Sequence, residues 1–190
     1  MSAGTTGKLV VISGPSGVGK STVATRLIDA LDATLSISAT TRPMGKGEVD
    51  GKNYRFLSRE AFERQLEAGE FLEHAEYLGN LYGTPACPVR EALQAGRDVV
   101  LEIEVQGGIQ VAHAQPDAVM IYLLPADSQV LVGRIEGRGR DERDVIDERL
   151  ANAEREIQLA RDAGVYEHFV VNDVLDDTVA HVVEIVEARR

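Results

Sequence analysis

The sequence is poor in residue types that would point to a secreted, membrane-bound or disulfide-stabilised protein. Its 190 residues include one cysteine, no tryptophan and 5% aromatic residues. Cys87 cannot form an internal disulfide, and nothing beside it in the sequence predicts a reactive thiol. The longest apolar run, residues 118–124, is far too short to cross a bilayer. The first residues lack the basic and apolar segments of a secretory signal, so we expect a cytoplasmic protein with no membrane partner.

Positive charge is also scarce. The chain has 20 lysines and arginines against 31 aspartates and glutamates, a formal net charge of −11. A nucleic-acid-binding surface needs a basic stripe that displaces counterions, so we expect no nucleic-acid partner. Hydrophobic residues make up 44% of the chain, which is ordinary for a globular protein of this length. We therefore expect one α/β domain with a sizeable core.

A glycine-rich segment near the N-terminus is the most informative motif. Residues 14–21 fit the phosphate-binding pattern G-x-x-x-x-G-K-[ST] at every fixed position. Glycines let successive backbone N–H groups point at phosphate oxygens, Lys20 supplies a charge, and the Ser21 hydroxyl is a ligand for Mg²⁺. The motif predicts binding of a nucleoside triphosphate by Gly14, Pro15, Ser16, Gly17, Val18, Gly19, Lys20, Ser21 and Thr22.

The segments around this motif predict a parallel sheet covered by helices. A short apolar strand precedes the loop, and residues 22–31 read as a helix, so phosphate would sit at a helix N-terminus. Continuous Val/Ile/Leu runs suit strands that are buried on both faces. The predicted strands are 9–12, 35–37, 99–103, 119–124 and 168–171, and later helices cover 142–163, ended by Gly164, and the C-terminus around Val179, Val182, Val183 and Val186.

Two segments depart from this alternation. Glycines and alternating strands between residues 40 and 89 predict a small inserted subdomain that is partly antiparallel, and the arginine-rich segment 128–149 predicts a charged flap. The predicted fold is a three-layer α/β core with an insertion and a lid. Within a single domain 1–190, we assign the core to 8–37, 89–127 and 165–190, the insertion to 38–88 and the lid to 128–164.

Short motifs beyond the loop resemble those of the guanylate kinase family in order and spacing, over essentially the whole chain. They are Thr40-Thr41-Arg42, Gly47-Glu48, Gly51, Tyr54, Glu73, Tyr82-Gly83-Thr84-Pro85 and Leu101-Glu102-Ile103-Glu104-Val105-Gln106-Gly107. The resemblance implies transfer of the ATP γ-phosphoryl group to GMP with Mg²⁺. It also implies guanine contacts from Ser38, Glu73, Thr84 and Glu104, and phosphate contacts from Arg42, Tyr54 and Tyr82.

The resemblance assigns chemistry to three further arginines and an asparagine. Arg134, Arg138 and Arg149 match the lid arginines of the family, and Asn172 lies where the family often contacts the adenine of ATP. Phosphoryl transfer needs cations over the charge that spreads on the transferring group, and a closing lid supplies them while it excludes water. With Lys20 and Arg42, these three arginines complete the predicted catalytic set.

Two other interpretations remain open at this point. Relatives that phosphorylate ribose 1,5-bisphosphate share the loop and sheet, and some guanylate-kinase-like modules are inactive domains that bind phosphopeptides. A carboxylate at Glu73 argues against the first, because it can accept from both N1–H and the exocyclic amine of guanine. The intact Lys20 and Ser21 argue against the second. The oligomeric state, monomer or homodimer, is left open.

One departure from the family pattern leads to a prediction. Gly45 stands where the family usually carries a second arginine, three residues after Arg42, and Lys46 follows it. Our hypothesis is that Lys46 reaches the acceptor phosphate as a point charge in place of that arginine. Lys46→Ala is then expected to raise KM for GMP in steady-state assays. An unchanged GMP KM and turnover would contradict the replacement.

Overall fold

The computed structural model describes residues 6–77, 79–127 and 143–189, without the side chains of residues 143–149. Its elements follow one another in the order β1 Leu9–Ser13, α1 Lys20–Leu31, β2 Thr34–Leu35, β3 Ala39–Thr40, β4 Arg55–Phe56, α2 Arg59–Glu67, β5 Phe71–Tyr77, β6 Asn80–Pro85, α3 Ala86–Gln94, β7 Val99–Glu102, α4 Val105–Ala114, β8 Val119–Pro125, α5 Arg143–Ala163, β9 His168–Asn172 and α6 Leu175–Glu187. Strands alternate with helices, as the sequence predicts for an α/β protein.

A five-stranded parallel sheet forms the centre of the fold, which confirms the predicted fold class. Its strand order is β2-β7-β1-β8-β9, and every neighbouring pair is parallel. Successive side chains of β1 point to opposite faces, so Val10 and Ile12 pack with α1 and α6 while Leu9 and Val11 pack with α3 and α4. Both faces are therefore covered, which explains the uninterrupted apolar runs.

A second, four-stranded sheet has the order β4-β3-β6-β5 and carries its own small core. Strand β6 is antiparallel to both β3 and β5, whereas β3 and β4 are parallel. Phe62 of α2 stacks on Phe71 with ring centroids 4.4 Å apart, and both pack with Ala39 and Leu81. The mixture of strand directions agrees with the predicted partly antiparallel insertion. The boundary assigned at residue 88 falls inside α3.

Several predicted boundaries move by one or two residues. Helix α1 begins at Lys20 rather than residue 22, and β2 ends at Leu35 rather than residue 37. After β2 the N–H of Ser36 still bonds to Val100 O, and the chain then leaves for the second sheet. Gly164 follows α5 with φ +65°, as expected of a residue that ends a helix. In the described ranges, no helix is long and apolar enough to span a membrane.

The contact between α4 and Tyr166 leads to a stability prediction. A Cβ added at Gly108 would overlap the Tyr166 hydroxyl, which donates to Val105 O at 3.2 Å. Alanine is the better helix former, but here it must displace a buried ring. Gly108→Ala is expected to lower the free energy of unfolding by about 1–3 kcal/mol in urea titrations. The double variant with Tyr166→Phe should recover part of that loss. A Gly108→Ala protein as stable as the parent would contradict this packing argument.

Candidate functional site

The predicted phosphate-binding loop joins the end of β1 to the start of α1. Gly14 has φ +148° and Gly19 has φ +103°, conformations that residues with a side chain rarely adopt. A Cβ at Gly14 would lie 2.7 Å from Leu123 O. The N-cap of α1 is Gly19, which has no side chain to bond to the first turn. The loop therefore curls around a helix N-terminus in the way that the sequence pattern predicts.

Lys20 begins α1 and folds back over the loop. Its ammonium group donates to Gly14 O at 2.6 Å and to Pro15 O at 3.1 Å. Burial lowers the pKa of Lys20, and the nearby carboxylates of Glu156 and Glu102 partly oppose this effect. The charge of Lys20 is thus held at the loop by backbone carbonyls and by surrounding carboxylates.

The Ser21 hydroxyl donates to Glu102 Oε1 at 2.5 Å. Glu102 is the last residue of β7, the neighbour of β1, and carboxyl ends of parallel strands meet at one edge of a sheet. A hydroxyl and a carboxylate are hard oxygen donors, the kind that Mg²⁺ takes in small number beside phosphate and water. The donor chemistry of this pair therefore fits Mg²⁺. Among the residues that the structure describes, no cluster of three or more His, Cys, Asp or Glu side chains could hold a metal.

A pocket of about 380 Å³ begins at the loop and extends to the second sheet. Eleven of the predicted site residues line it, contributed by the loop and the start of α1, the segments before β3 and β4, strands β5 and β6, and the N-cap of α4. They are Ser16, Gly17, Gly19, Lys20, Ser21, Thr22, Ser38, Tyr54, Glu73, Tyr82 and Glu104. The fold thus brings the predicted triphosphate and acceptor residues into one cavity.

Glu73 is the buried carboxylate of this pocket, with 5% of its surface exposed. Thr84 lies opposite it on β6 and donates to Glu73 Oε1 at 2.6 Å, so Thr84 reaches the pocket through Glu73. Burial raises the pKa of Glu73 to about 7, opposed by the Thr84 bond and helped by the charge of Glu104. A Cβ at Gly107 would collide with Glu73 Oε2, so the glycine leaves room for the carboxylate.

Glu104 has two roles in the structure: it lines the pocket, and it lies at the N-terminal end of a helix. It is the N-cap of α4, and its carboxylate accepts from Gln106 N at 2.9 Å and from Gly107 N at 2.5 Å. Both backbone donors would otherwise lack a partner within the helix. The cap therefore fixes the Glu104 carboxylate near Glu73.

Arg42 lies beside the pocket rather than in its lining. Its guanidinium donates to both carboxylate oxygens of Glu48, at 3.0 and 2.8 Å, and lies 5.5 Å from the ring centre of Tyr54. Gly45 N also donates to Glu48, at 2.5 Å. The hydrogen bond to Glu48, with a further contribution from Tyr82, raises the pKa of Arg42. Arg42 is thus permanently charged and oriented next to two predicted phosphate ligands.

Some predicted residues are not brought to the pocket. Asn172 is buried and donates from Nδ2 to Val18 O at 2.8 Å, so its amide supports the phosphate loop. Gly14, Pro15 and Val18 shape the loop from outside the lining. Arg134 and Arg138 lie outside the described residues, as does the side chain of Arg149 in α5.

Two acidic residues of the site were not assigned from the sequence. Glu102 belongs to the motif at residues 101–107. It ends β7, the neighbour of the strand that precedes the phosphate loop, and this position is the signal that would have indicated it as a partner for Ser21. Glu156 of α5 also lines the pocket. Burial raises the pKa of Glu156, and the charge of Lys20 opposes that rise. Helical spacing alone gives no sign that Glu156 faces the loop.

A parallel sheet, a phosphate loop before α1 and a pocket at the carboxyl ends of the strands define a P-loop kinase fold. Comparison with known proteins agrees over nearly the whole chain. The sequence model of the guanylate kinase family matches residues 6–189.

Individual relatives give the same result. The guanylate kinase of Enterococcus faecalis is 50% identical over 182 residues, which cover 95% of this chain and 88% of that protein. The guanylate kinase of Thermus thermophilus is 48% identical over 187 residues, covering 98% and 82%. The crystal structure of guanylate kinase from Anaplasma phagocytophilum superposes with a TM-score of 0.79 at 30% identity, over 97% of this chain and 86% of that one.

The chain belongs to the guanylate kinase family. This confirms the resemblance drawn from the sequence motifs and makes the protein a nucleoside monophosphate kinase, a phosphotransferase.

Proposed function

We propose that the protein transfers the γ-phosphoryl group of ATP to GMP, giving ADP and GDP. The observation that carries the choice of acceptor is the buried Glu73 carboxylate, held by Thr84 in the pocket that begins at the phosphate loop. Guanine presents N1–H and an exocyclic amine side by side, and a carboxylate accepts from both. Adenine lacks this paired donor edge and would leave a buried carboxylate unsatisfied.

In this proposal the two substrates meet between the loop and the second sheet. The loop N–H groups and Lys20 hold the ATP phosphates, while Arg42, Tyr54 and Tyr82 hold the GMP phosphate. The phosphate oxygen of GMP is already an anionic nucleophile, so no general base is required. Arg134, Arg138 and Arg149 are proposed to stabilise the transferring group as the lid 128–164 closes over the insertion 38–88.

Mg²⁺ is the proposed cofactor, held through Ser21 beside Glu102. Bound there, Mg²⁺ would offset the negative charge that develops on the phosphates during transfer. Glu102 accepts from the Ser21 hydroxyl, and both residues line the pocket. A cytoplasmic location remains a prediction from the sequence.

The function is tested by ADP release with Mg-ATP and a panel of acceptors. We expect strong turnover with GMP and at least 10³-fold lower kcat/KM with AMP, because buried polar groups left unpaired discriminate strongly. Ribose 1,5-bisphosphate should not serve as acceptor. Turnover only with the sugar bisphosphate would overturn the substrate, and ATP binding without turnover on any acceptor would favour an inactive binding module.

The pKa of Glu73 predicts a pH dependence of base binding. An acid whose pKa is about 7 in the free pocket is protonated below that pH, and only the ionised form accepts both guanine donors. Affinity should therefore rise as pH increases toward 7, by up to tenfold per pH unit, and level off above it.

Guanosine is a better ligand than GMP for this measurement, because it has no phosphate that titrates near pH 6. Calorimetry from pH 5.5 to 8.5 should show the rise for the parent protein. Glu73→Gln should bind guanosine weakly and with a flat profile, since its amide does not ionise. A parent profile that is equally flat would contradict the assignment of Glu73.

A further inference from the structure

Strand β5, which carries Glu73, lies at the edge of the second sheet. It pairs with β6 on one side only, because the strand order ends at β5. An edge strand leaves backbone N–H and C=O groups of alternate residues without a strand partner. On β5 this outer edge faces helix α4, which belongs to the parallel-sheet core.

The side chain of Gln110 in α4 takes the place of a neighbouring strand at this edge. Its Oε1 accepts from His74 N at 3.1 Å, and its Nε2 donates to His74 O at 2.6 Å. One amide side chain thus satisfies both backbone groups of a single residue of β5. His74 is the residue that follows Glu73, so the bonds fix the backbone next to the guanine-facing carboxylate.

The same face of α4 holds the other groups around Glu73. Residues three apart on a helix lie above one another, and Glu104, Gly107 and Gln110 follow this spacing. Glu104 caps the helix in the pocket, Gly107 leaves room for Glu73 Oε2, and Gln110 binds the next residue of β5. Helix α4 is therefore aligned with β5 at three positions along one face, those of Glu104, Gly107 and Gln110.

We propose that Gln110 is a positioning residue for guanine recognition, which holds β5 against α4 so that the Glu73 carboxylate stays aligned with the base. The inference rests on the proposed function, since it concerns how the acceptor base is selected. Gln110 does not line the pocket, so it acts through the His74 backbone rather than by touching the ligand.

The direct test compares Gln110→Met, which keeps the length of the side chain and removes both bonds, with the parent. Gln94→Met serves as the matched control, since Gln94 is an exposed residue of α3 outside the pocket lining. We expect Kd for GMP in calorimetry to rise about five- to tenfold in Gln110→Met, as two lost hydrogen bonds suggest. Kd for ATP should stay within twofold, and Gln94→Met should match the parent for both ligands.

A second readout separates positioning from general loss of stability. Without the Gln110 bonds, β5 is expected to move away from α4 and to expose Glu73 to water. The ionisable neighbours of Glu73 are Glu104 at the N-cap of α4 and Tyr166 before β9. The midpoint of the guanosine pH profile should then move below 7. In hydrogen exchange, the amide of His74 should lose protection in the variant while amides bonded to β6 keep theirs.

The outcomes are distinguishable. Absence of GMP binding by the parent protein would overturn the proposed function and this inference together. GMP binding by the parent with unchanged Kd and pH profile in Gln110→Met would overturn the inference alone. Equal losses for ATP and GMP would also overturn it, because they would indicate general damage. If Gln110→Met does not fold, Gln110→Glu replaces it, since its carboxylate keeps the acceptor but cannot donate to His74 O.

Discussion

The concentration of negative charge around a site for anionic ligands is the constraint on which the rest of the structure depends. Among the described residues that line the pocket, Lys20 is the one lysine or arginine, and four are glutamates: Glu73, Glu102, Glu104 and Glu156. In the proposed function, phosphate affinity therefore depends on Lys20, on Arg42 beside the pocket, on backbone N–H groups at the start of α1 and on cations that are added to the pocket. The proposed Mg²⁺ and lid arginines would supply that charge only when substrates are in place.

Each glutamate in the described pocket is restrained by a specific donor or charge. Glu102 accepts from Ser21, Glu104 accepts from the first turn of α4, and Glu73 accepts from Thr84. Two of these carboxylates are only two residues apart, Glu102 at the end of β7 and Glu104 at the N-cap of α4. Helix α4 then continues to β5, where Gln110 binds the backbone beside Glu73. This arrangement links the phosphate loop to the strand that carries Glu73 through a single strand–helix unit.

The sequence predicted most of the fold and much of the candidate site because the relevant signals are local. The phosphate loop, the buried strands and Gly164 depend on residue types at fixed short spacings, and the structure agrees with each. Tertiary hydrogen bonds were not predictable in this way. Asn172 donates to Val18 O and Gln110 bonds to His74, contacts between residues 154 and 36 positions apart that depend on how the elements pack.

In the proposed function, selectivity for guanine follows from the cost of ionising Glu73 in the free protein. A pKa raised from 4.5 to about 7 corresponds to roughly 3 kcal/mol, at 1.36 kcal/mol per pH unit. A ligand with two adjacent donors can recover this energy, because hydrogen bonds to a desolvated carboxylate are stronger than those in water. A ligand without them leaves the carboxylate either protonated or charged and unpaired. Burial disfavours the ionised form of Glu73 in the free protein, and under this proposal the same burial makes the pocket selective for guanine.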